Sequence, residues 1–215
     1  HKDMALESLI VGGEVTSKAL IERWLPFCRY FVAYGPTECS ICCFTQEYDP
    51  GTSIYSIGNI VPTMQARVLD DYDQPVIPGA IGELCISVVG LAKGYLNRPE
   101  LTNQRFFEWE DGFTYYRSGD LVRVLGDGTI EFHGRDDHQV KIRGQRVELT
   151  EIESAVSRVE SVRACAVTYE AHDGAYQLVA YIVLSGRQDL NAASLDEIKS
   201  VTENELPSYM RPNHF

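Results

Sequence analysis

Basic residues are the scarce class in this 215-residue chain: Lys and Arg number 19 against 31 Asp and Glu, for a net charge of −12. Non-specific nucleic-acid binding draws on a basic surface, so the composition predicts no nucleic-acid partner. Long apolar runs are missing as well. None approaches the roughly 18 to 20 residues that a helix needs to cross a bilayer, and no membrane partner is expected. The opening stretch HKDMALESLIVGGE has acids inside it and no small-residue cleavage pattern, which does not fit a secretory segment. Internal repeats and low-complexity linkers are absent. Cysteine is sparse, with six residues at 28, 39, 42, 43, 85 and 165. That distribution reads as thiols in a reducing compartment, here the cytoplasm, and not as a disulfide framework.

What remains is a globular composition, 44% hydrophobic and 23% charged, in a chain long enough for one large domain or two small ones. The densest stretch is YGPTECSICC (34–43). Cys39 and Cys42 have the spacing of half a zinc site, but a structural zinc needs a second pair of Cys or His, and the sequence holds none. The segment ICCF reads as an apolar strand in which cysteine acts as a small hydrophobe.

Three grammars follow one another along the chain. SLIVGGE (8–14) reads as a short strand ending in a Gly turn, SKALIERWL (17–25) as a helix with apolar residues at 20, 21, 24 and 25, and RYFVAYG (29–35) as a second strand. Strand, helix, strand predicts the end of a parallel βαβ sheet, with ligands at the carboxyl ends of its strands. From 54 to 136 the pattern changes to short strands, QARVLD (65–70) and GELCISV (82–88), then LVRVL and TIEFH about Gly126-Asp127-Gly128 as a hairpin. This predicts a small, distorted antiparallel barrel. Beyond 137, TEIESAVSRV predicts a helix opened by a Thr150/Glu153 capping box. Two strands, VRACAVTYE and YQLVAYIVL, follow it, then a helix SLDEIKSVTENEL with a Ser194/Glu197 box. The expected architecture is α/β plus barrel plus α+β: a sheet remnant over 1–53, a barrel over 54–136, and a compact α+β subdomain over 137–215. The boundary is drawn in the polar run GRDDHQ (134–139).

Five motifs stand in order: YGPTE (34–38), GELCISVVGLAKGYLNRPELT (82–102), YRSGDL (116–121), GRDDHQVKIRGQRVELTEIE (134–153) and LPSYMRP (206–212). Together the chain resembles the adenylation domains of nonribosomal peptide synthetases, within the adenylate-forming superfamily. The resemblance implies a chemistry: an amino acid is joined to ATP with Mg²⁺, pyrophosphate leaves, and the aminoacyl group passes to the phosphopantetheine thiol of a peptidyl carrier domain beside other synthetase domains. It implies that Tyr34 stacks on adenine beside Gly35, that Thr37 bonds phosphate oxygens, and that Glu38 helps hold the metal, a hard cation suited to oxygen ligands. Asp120 would accept the ribose hydroxyls, and Arg135 would reach the ribose or phosphate. Thr37, Glu38 and Arg135 are thus the expected catalytic residues. Phe132 stands near the ribose where Tyr is common in the family, and Val32 stands where Asn is. Asp137 matches the hinge of a mobile C-terminal subdomain, and Gly144 in KIRGQ would leave room for the pantetheine arm.

By the same resemblance Ile10, Gly12, Ala33, Ile41 and Cys42 line the side-chain pocket. They favour a hydrophobic amino acid, although a lone isoleucine is often a core residue. The family's upstream phosphate loop and its final lysine motif fall outside these 215 residues. The expectation is therefore a C-terminal piece of the domain, inactive by itself. Two alternatives stay open: an acyl- or aryl-CoA ligase, and a non-catalytic fragment that binds only nucleotide or a carrier protein.

Overall fold

Ser17 begins the first helix by accepting a hydrogen bond from the Leu20 N–H at 3.2 Å, the usual N-cap arrangement. This helix, α1 (Lys18–Trp24), connects β1 (Ser8–Gly12) to β2 (Arg29–Tyr34), and the two strands pair in parallel from Ser8↔Arg29 to Gly12↔Ala33. The βαβ unit expected from periodicity is present. Only Ile21 of the helix is buried, where it meets Tyr30, Val32 and Tyr48; Leu20 lies outside that cluster. The computed structural model describes residues 6–172, 175–185 and 192–215, and it divides between Asp137 and His138 into two compact units.

In the first unit β2 also pairs antiparallel with β3 (Phe44–Tyr48), and β3 with β4 (Ser56–Ile60). The strand expected over ICCF begins only at Phe44. Cys42 and Cys43 lie in the turn before it, which Ser40 and Ile41 form at positive φ, 60° and 78°, outside the extended region for residues with a Cβ. β4 then turns its other edge to β9 (Ile130–Arg135). Next in order come β8 (Thr114–Val124), β6 (Ile81–Ser87) and β5 (Gln65–Leu69), with the short β7 (Phe106–Glu108) also on β8 and α2 (Pro99–Arg105) leading into it.

The expected hairpin about Gly126-Asp127-Gly128 closes with Val124↔Ile130. The segments expected as a sheet remnant and a small distorted barrel are continuous through hydrogen-bonded strands. Nine strands form one sheet in which β4 joins the parallel end to the antiparallel end, and the described ladder ends on β1 and β5. Its main core gathers Tyr34, Cys39, Cys43 and Phe44 with Leu84, Ile86, Tyr116 and Val122.

The second unit opens with a hairpin of β10 (Gln139–Ile142) and β11 (Gln145–Glu148). Its two-residue turn places Arg143 and Gly144 at φ 51° and 76°, the left-handed pair that tight hairpins require. α3 (Leu149–Val156) packs Ile152 and Val156 at 0% exposure, each buried side chain contributing about 1.5–3 kcal/mol. The predicted Thr150 capping box is absent. Glu148 takes the N-cap position with no side-chain capping bond, Thr150 is already helical, and Glu153 instead accepts from the Val167 N–H at 2.9 Å. β12 (Val162–His172) and β13 (Ala175–Leu184) pair antiparallel, and α4 (Ala192–Glu205) starts two residues before Ser194, so Ser194 is not its cap.

Gly58 in β4 shows how tightly β3 and β4 meet. At φ 82° a Cβ there would fall 1.9 Å from the Thr45 carbonyl oxygen, whereas Gly51, at φ 105°, has nothing within 4 Å. Gly51→Ala is expected to cost only the strain of a left-handed residue, about 1–2 kcal/mol. Gly58→Ala must also open the β3–β4 pairing and should cost at least about twice that. Urea denaturation midpoints of the two variants check the difference.

Candidate active site

The residues singled out from the motifs come together at two places in the first unit. The first is built on a bulge. Between Arg117 and Leu121, β8 carries extra residues against β6, and β9 slips by one opposite Asp120/Val122. Bulges of this kind re-aim side chains. Gly119 sits in it at φ 72°, its N–H donating to Glu83 Oε1 at 3.0 Å. Ser118 donates to the Leu84 carbonyl at 2.6 Å and accepts from the Asp120 N–H at 3.1 Å. These bonds deliver Asp120, only 3% exposed, to the end of β2.

There the Tyr34 hydroxyl donates to Asp120 Oδ2, and Arg135 Nη1 donates to Oδ1 at 2.5 Å. Arg135 also grips Asp137 with two donors, at 2.7 and 2.8 Å, and gives a third bond to the Ser118 carbonyl at 3.0 Å. Asp137 further accepts from Arg105 at 3.2 Å. Burial alone would lower the pKa of Arg135, but its bonds to Asp137 and the charges of Asp120 and Asp137 outweigh this and raise it. Burial, then the Asp120 charge and hydrogen bond, pushes the Tyr34 phenol well above its ordinary value. Tyr34 is thereby a neutral donor and Arg135 a permanent cation.

Two of the expected nucleotide contacts fall on residues of this junction. Tyr34 was expected as a stacking surface, but the ring is 8% exposed and lies edge-on to Phe44 at 5.8 Å. It packs in the core, with its hydroxyl bonded to Asp120. Arg135 was expected to reach ribose or phosphate; here its charge is shared between two carboxylates and four of its five N–H donors are engaged. Phe132 is half-buried against the same core, and Val32 is buried beside Tyr30.

The second place is the short 3₁₀ turn Thr37–Cys39 after Gly35. A Cβ on Gly35 would meet the Ile41 carbonyl oxygen at 2.5 Å, so the chain folds back on itself there. Thr37 is exposed, while Glu38 is 7% exposed and accepts a hydrogen bond from the Tyr95 hydroxyl at 2.6 Å. Tyr95 belongs to the quoted GLAKGYL segment, but nothing local to that segment points to Glu38, 57 residues earlier. Among the described residues no three His, Cys, Asp or Glu form a metal site.

The pocket candidates separate by exposure. Ile10 and Ile41 are 68% and 82% exposed, so neither is a core residue. Gly12 lies beside Ala33 in the β1–β2 register, and a Cβ on Gly12 would meet the Ala33 carbonyl oxygen at 2.5 Å. Cys42 is half-buried.

The model of the AMP-binding enzyme matches residues 1–96, and that of the AMP-binding enzyme C-terminal domain matches residues 151–215. The chain belongs to the AMP-binding enzyme family. Among curated members it is 43% identical to tyrocidine synthase 2 of Brevibacillus parabrevis, over 98% of this chain and 6% of that protein. It is 40% identical to novobiocin biosynthesis protein H of Streptomyces niveus, over 98% of this chain and 35% of that protein. Of solved structures, IdnL1 superposes with a TM-score of 0.84 at 30% identity, covering 97% of this chain and 44% of that one. The Vibrio cholerae adenylation domain AlmE, in complex with glycyl-adenosine-5′-phosphate, gives 0.83 at 30% identity, covering 97% and 40%. PA1221, a nonribosomal peptide synthetase protein containing adenylation and PCP domains, gives 0.78 at 28% identity, covering 97% and 42%. This AMP-binding chain spans under half of each of these proteins.

The buried junction separates two classes of ion pair. Arg135→Ala would leave Asp120 buried with one partner and should destabilise the fold by about 3–5 kcal/mol. Arg29→Ala removes the exposed pair with Glu47, whose side chains are 63% and 42% accessible, and should cost under about 1 kcal/mol. Chemical denaturation of both variants is the check.

Proposed function

We propose that this chain is part of an adenylation domain that activates a hydrophobic amino acid with ATP and loads it on a carrier-domain thiol in nonribosomal peptide synthesis. The observation that carries the reading is the convergence of Tyr34, Asp120 and Arg135 from three separate motifs on one buried carboxylate, beside the turn that holds Thr37 and Glu38. AlmE, of the same fold, is solved with an aminoacyl-adenylate, and PA1221 joins an adenylation domain to a carrier domain.

In the reaction a carboxylate oxygen of the amino acid attacks the α-phosphorus of ATP, the bond to the bridging oxygen breaks, and pyrophosphate leaves. The carrier thiol then attacks the carbonyl carbon of the adenylate and AMP departs. Asp120 receives the ribose hydroxyls by exchanging the bond it now accepts from Tyr34 or Arg135. Arg135 fixes the rotamer of Asp120 and offsets its charge. Thr37, exposed at the turn, offers a hydroxyl to phosphate oxygens.

Glu38 supplies one hard oxygen donor, which fits magnesium because that ion is held by one or two carboxylates together with substrate phosphates and water. When bound, the cation neutralises charge that builds on the phosphates. Gly12 and Ala33 lie packed together at the strand ends, and exposed Ile10 and Ile41 offer apolar surface to a hydrophobic side chain. Asp137 is the hinge. Its carboxylate is clamped by Arg135 and Arg105, so backbone rotation begins just after a residue fixed to the first unit.

The test is amino-acid-dependent ATP–pyrophosphate exchange on the complete enzyme containing this chain, across the twenty amino acids. Exchange is expected with an apolar amino acid and should fall by about 10²-fold or more in Glu38→Gln and in Asp120→Asn. Exchange with no amino acid, or unaffected by both substitutions, would refute the reading.

A further inference from the structure

We propose that Tyr95 is a positioning residue that holds the Glu38 carboxylate in its metal-binding orientation; this rests on the assignment of Glu38 as the cation ligand. Glu38 projects from a turn of three residues, too short to lock a side chain with three rotatable bonds. The restraint comes from the loop at 90–95. Ser40 Oγ donates to the Gly90 carbonyl at 2.6 Å, the Ala92 N–H donates to the Glu38 carbonyl at 2.8 Å, and the Tyr95 hydroxyl donates to Glu38 Oε1 at 2.6 Å. The last distance is that of a charge-assisted O–H···O⁻ bond. One loop therefore fixes the backbone of the turn and one oxygen of its carboxylate.

Tyr95 is itself held in place. Its N–H donates to Thr102 Oγ1 at 2.9 Å, and its ring stands edge-on to Phe106 at 5.8 Å. Its hydroxyl oxygen lies 3.3 Å from that of Tyr116, which is fully buried. With the Tyr95 proton directed at Glu38, Tyr116 must be the donor of that pair. The order Tyr116 to Tyr95 to Glu38 makes every hydroxyl in the chain a donor toward the carboxylate, an arrangement that suits the ionised, metal-ligating form.

The experiment is a titration of the complete enzyme with Mn²⁺ in the presence of a non-hydrolysable ATP analogue, following free Mn²⁺ by its electron paramagnetic resonance signal. Tyr95→Phe keeps the ring and removes the donor; it should weaken cation binding by about tenfold, the scale of one hydrogen bond to a charged group. Glu38→Gln should weaken it at least as much. If Tyr95 acts through Glu38, the double variant should bind as Glu38→Gln alone does, whereas a merely structural role gives additive losses.

Unchanged affinity in Tyr95→Phe, or additive losses, would overturn the proposal while leaving Glu38 as ligand. Unchanged affinity in Glu38→Gln would overturn the ligand assignment itself. Should Tyr95→Phe not fold, Thr102→Val frees the Tyr95 backbone without touching either side chain. It should loosen the cation severalfold, and unchanged affinity there would count against positioning.

Discussion

A single buried carboxylate organises the first unit. Asp120 is 3% exposed, and burying an unpaired charge to that depth would cost several kcal/mol. Everything around it answers that cost. The bulge in β8 aims it, Ser118 caps its N–H, Tyr34 brings a donor from the parallel end of the sheet, and Arg135 brings a cation from β9. The carboxylate therefore ties the end of β2 to strands of the antiparallel end by side-chain bonds, where among the described residues the strand ladder joins them through β4. Fixing two strand ends and a bulge in one position is also what a preorganised site needs. Stability and the proposed function draw here on the same atoms.

Legibility in the sequence follows the range of the interactions. The βαβ start was readable because period and capping are local: Ser17, Ile21 and the two apolar strands each announce themselves within a few residues. The hairpin at 126–128 was readable for the same reason. The joining of the two ends of the sheet was not, since β4 is five residues with Gly58 in its middle, and only its neighbours on both edges make it a strand. Thr150 and Glu153 have the spacing of a capping box, but β11 ends at Glu148 and the helix starts at once, leaving Thr150 no extended backbone from which to cap. The Val167 N–H then claimed Glu153.

The candidate site divides along the same line. Motifs named the residues, because adenylate-forming chemistry fixes residue types at short spacing, but they could not say how deeply each is buried or what it touches. The resemblance gives Tyr34 in YGPTE an adenine to stack on but not its depth, and the structure makes it a core residue with a polar tip. The resemblance gives Arg135 in GRDD a ribose or phosphate to reach but not its protein partners, and the structure holds it half-buried between two carboxylates. Tyr95 carried no local sign of its role, since its partner is 57 residues away. Ile10 and Ile41 show the reverse case: composition favours a core position for isoleucine, and the structure leaves both in solvent.

Ile41 bears a further cost. The Cys42 N–H donates to the Ser40 carbonyl across it at 3.0 Å, closing a γ-turn with Ile41 at φ 78°, while Ser40 before it stands at 60°. For a β-branched residue this is an unfavourable conformation, of order 1–3 kcal/mol. Such strain persists only where the surroundings over-determine it. The Cys43 N–H bonds the Tyr34 carbonyl at 2.7 Å and Ser40 is latched to Gly90 at 2.6 Å, so the loop is closed from both sides. The Tyr34 carbonyl is thus one anchor of the strained loop, while the Tyr34 hydroxyl is anchored on Asp120. The conformation of the exposed isoleucine and the placement of the buried carboxylate are consequently not independent. Tyr34 thus joins the two through its own carbonyl and hydroxyl, one bonded to the strained loop and the other to the buried carboxylate.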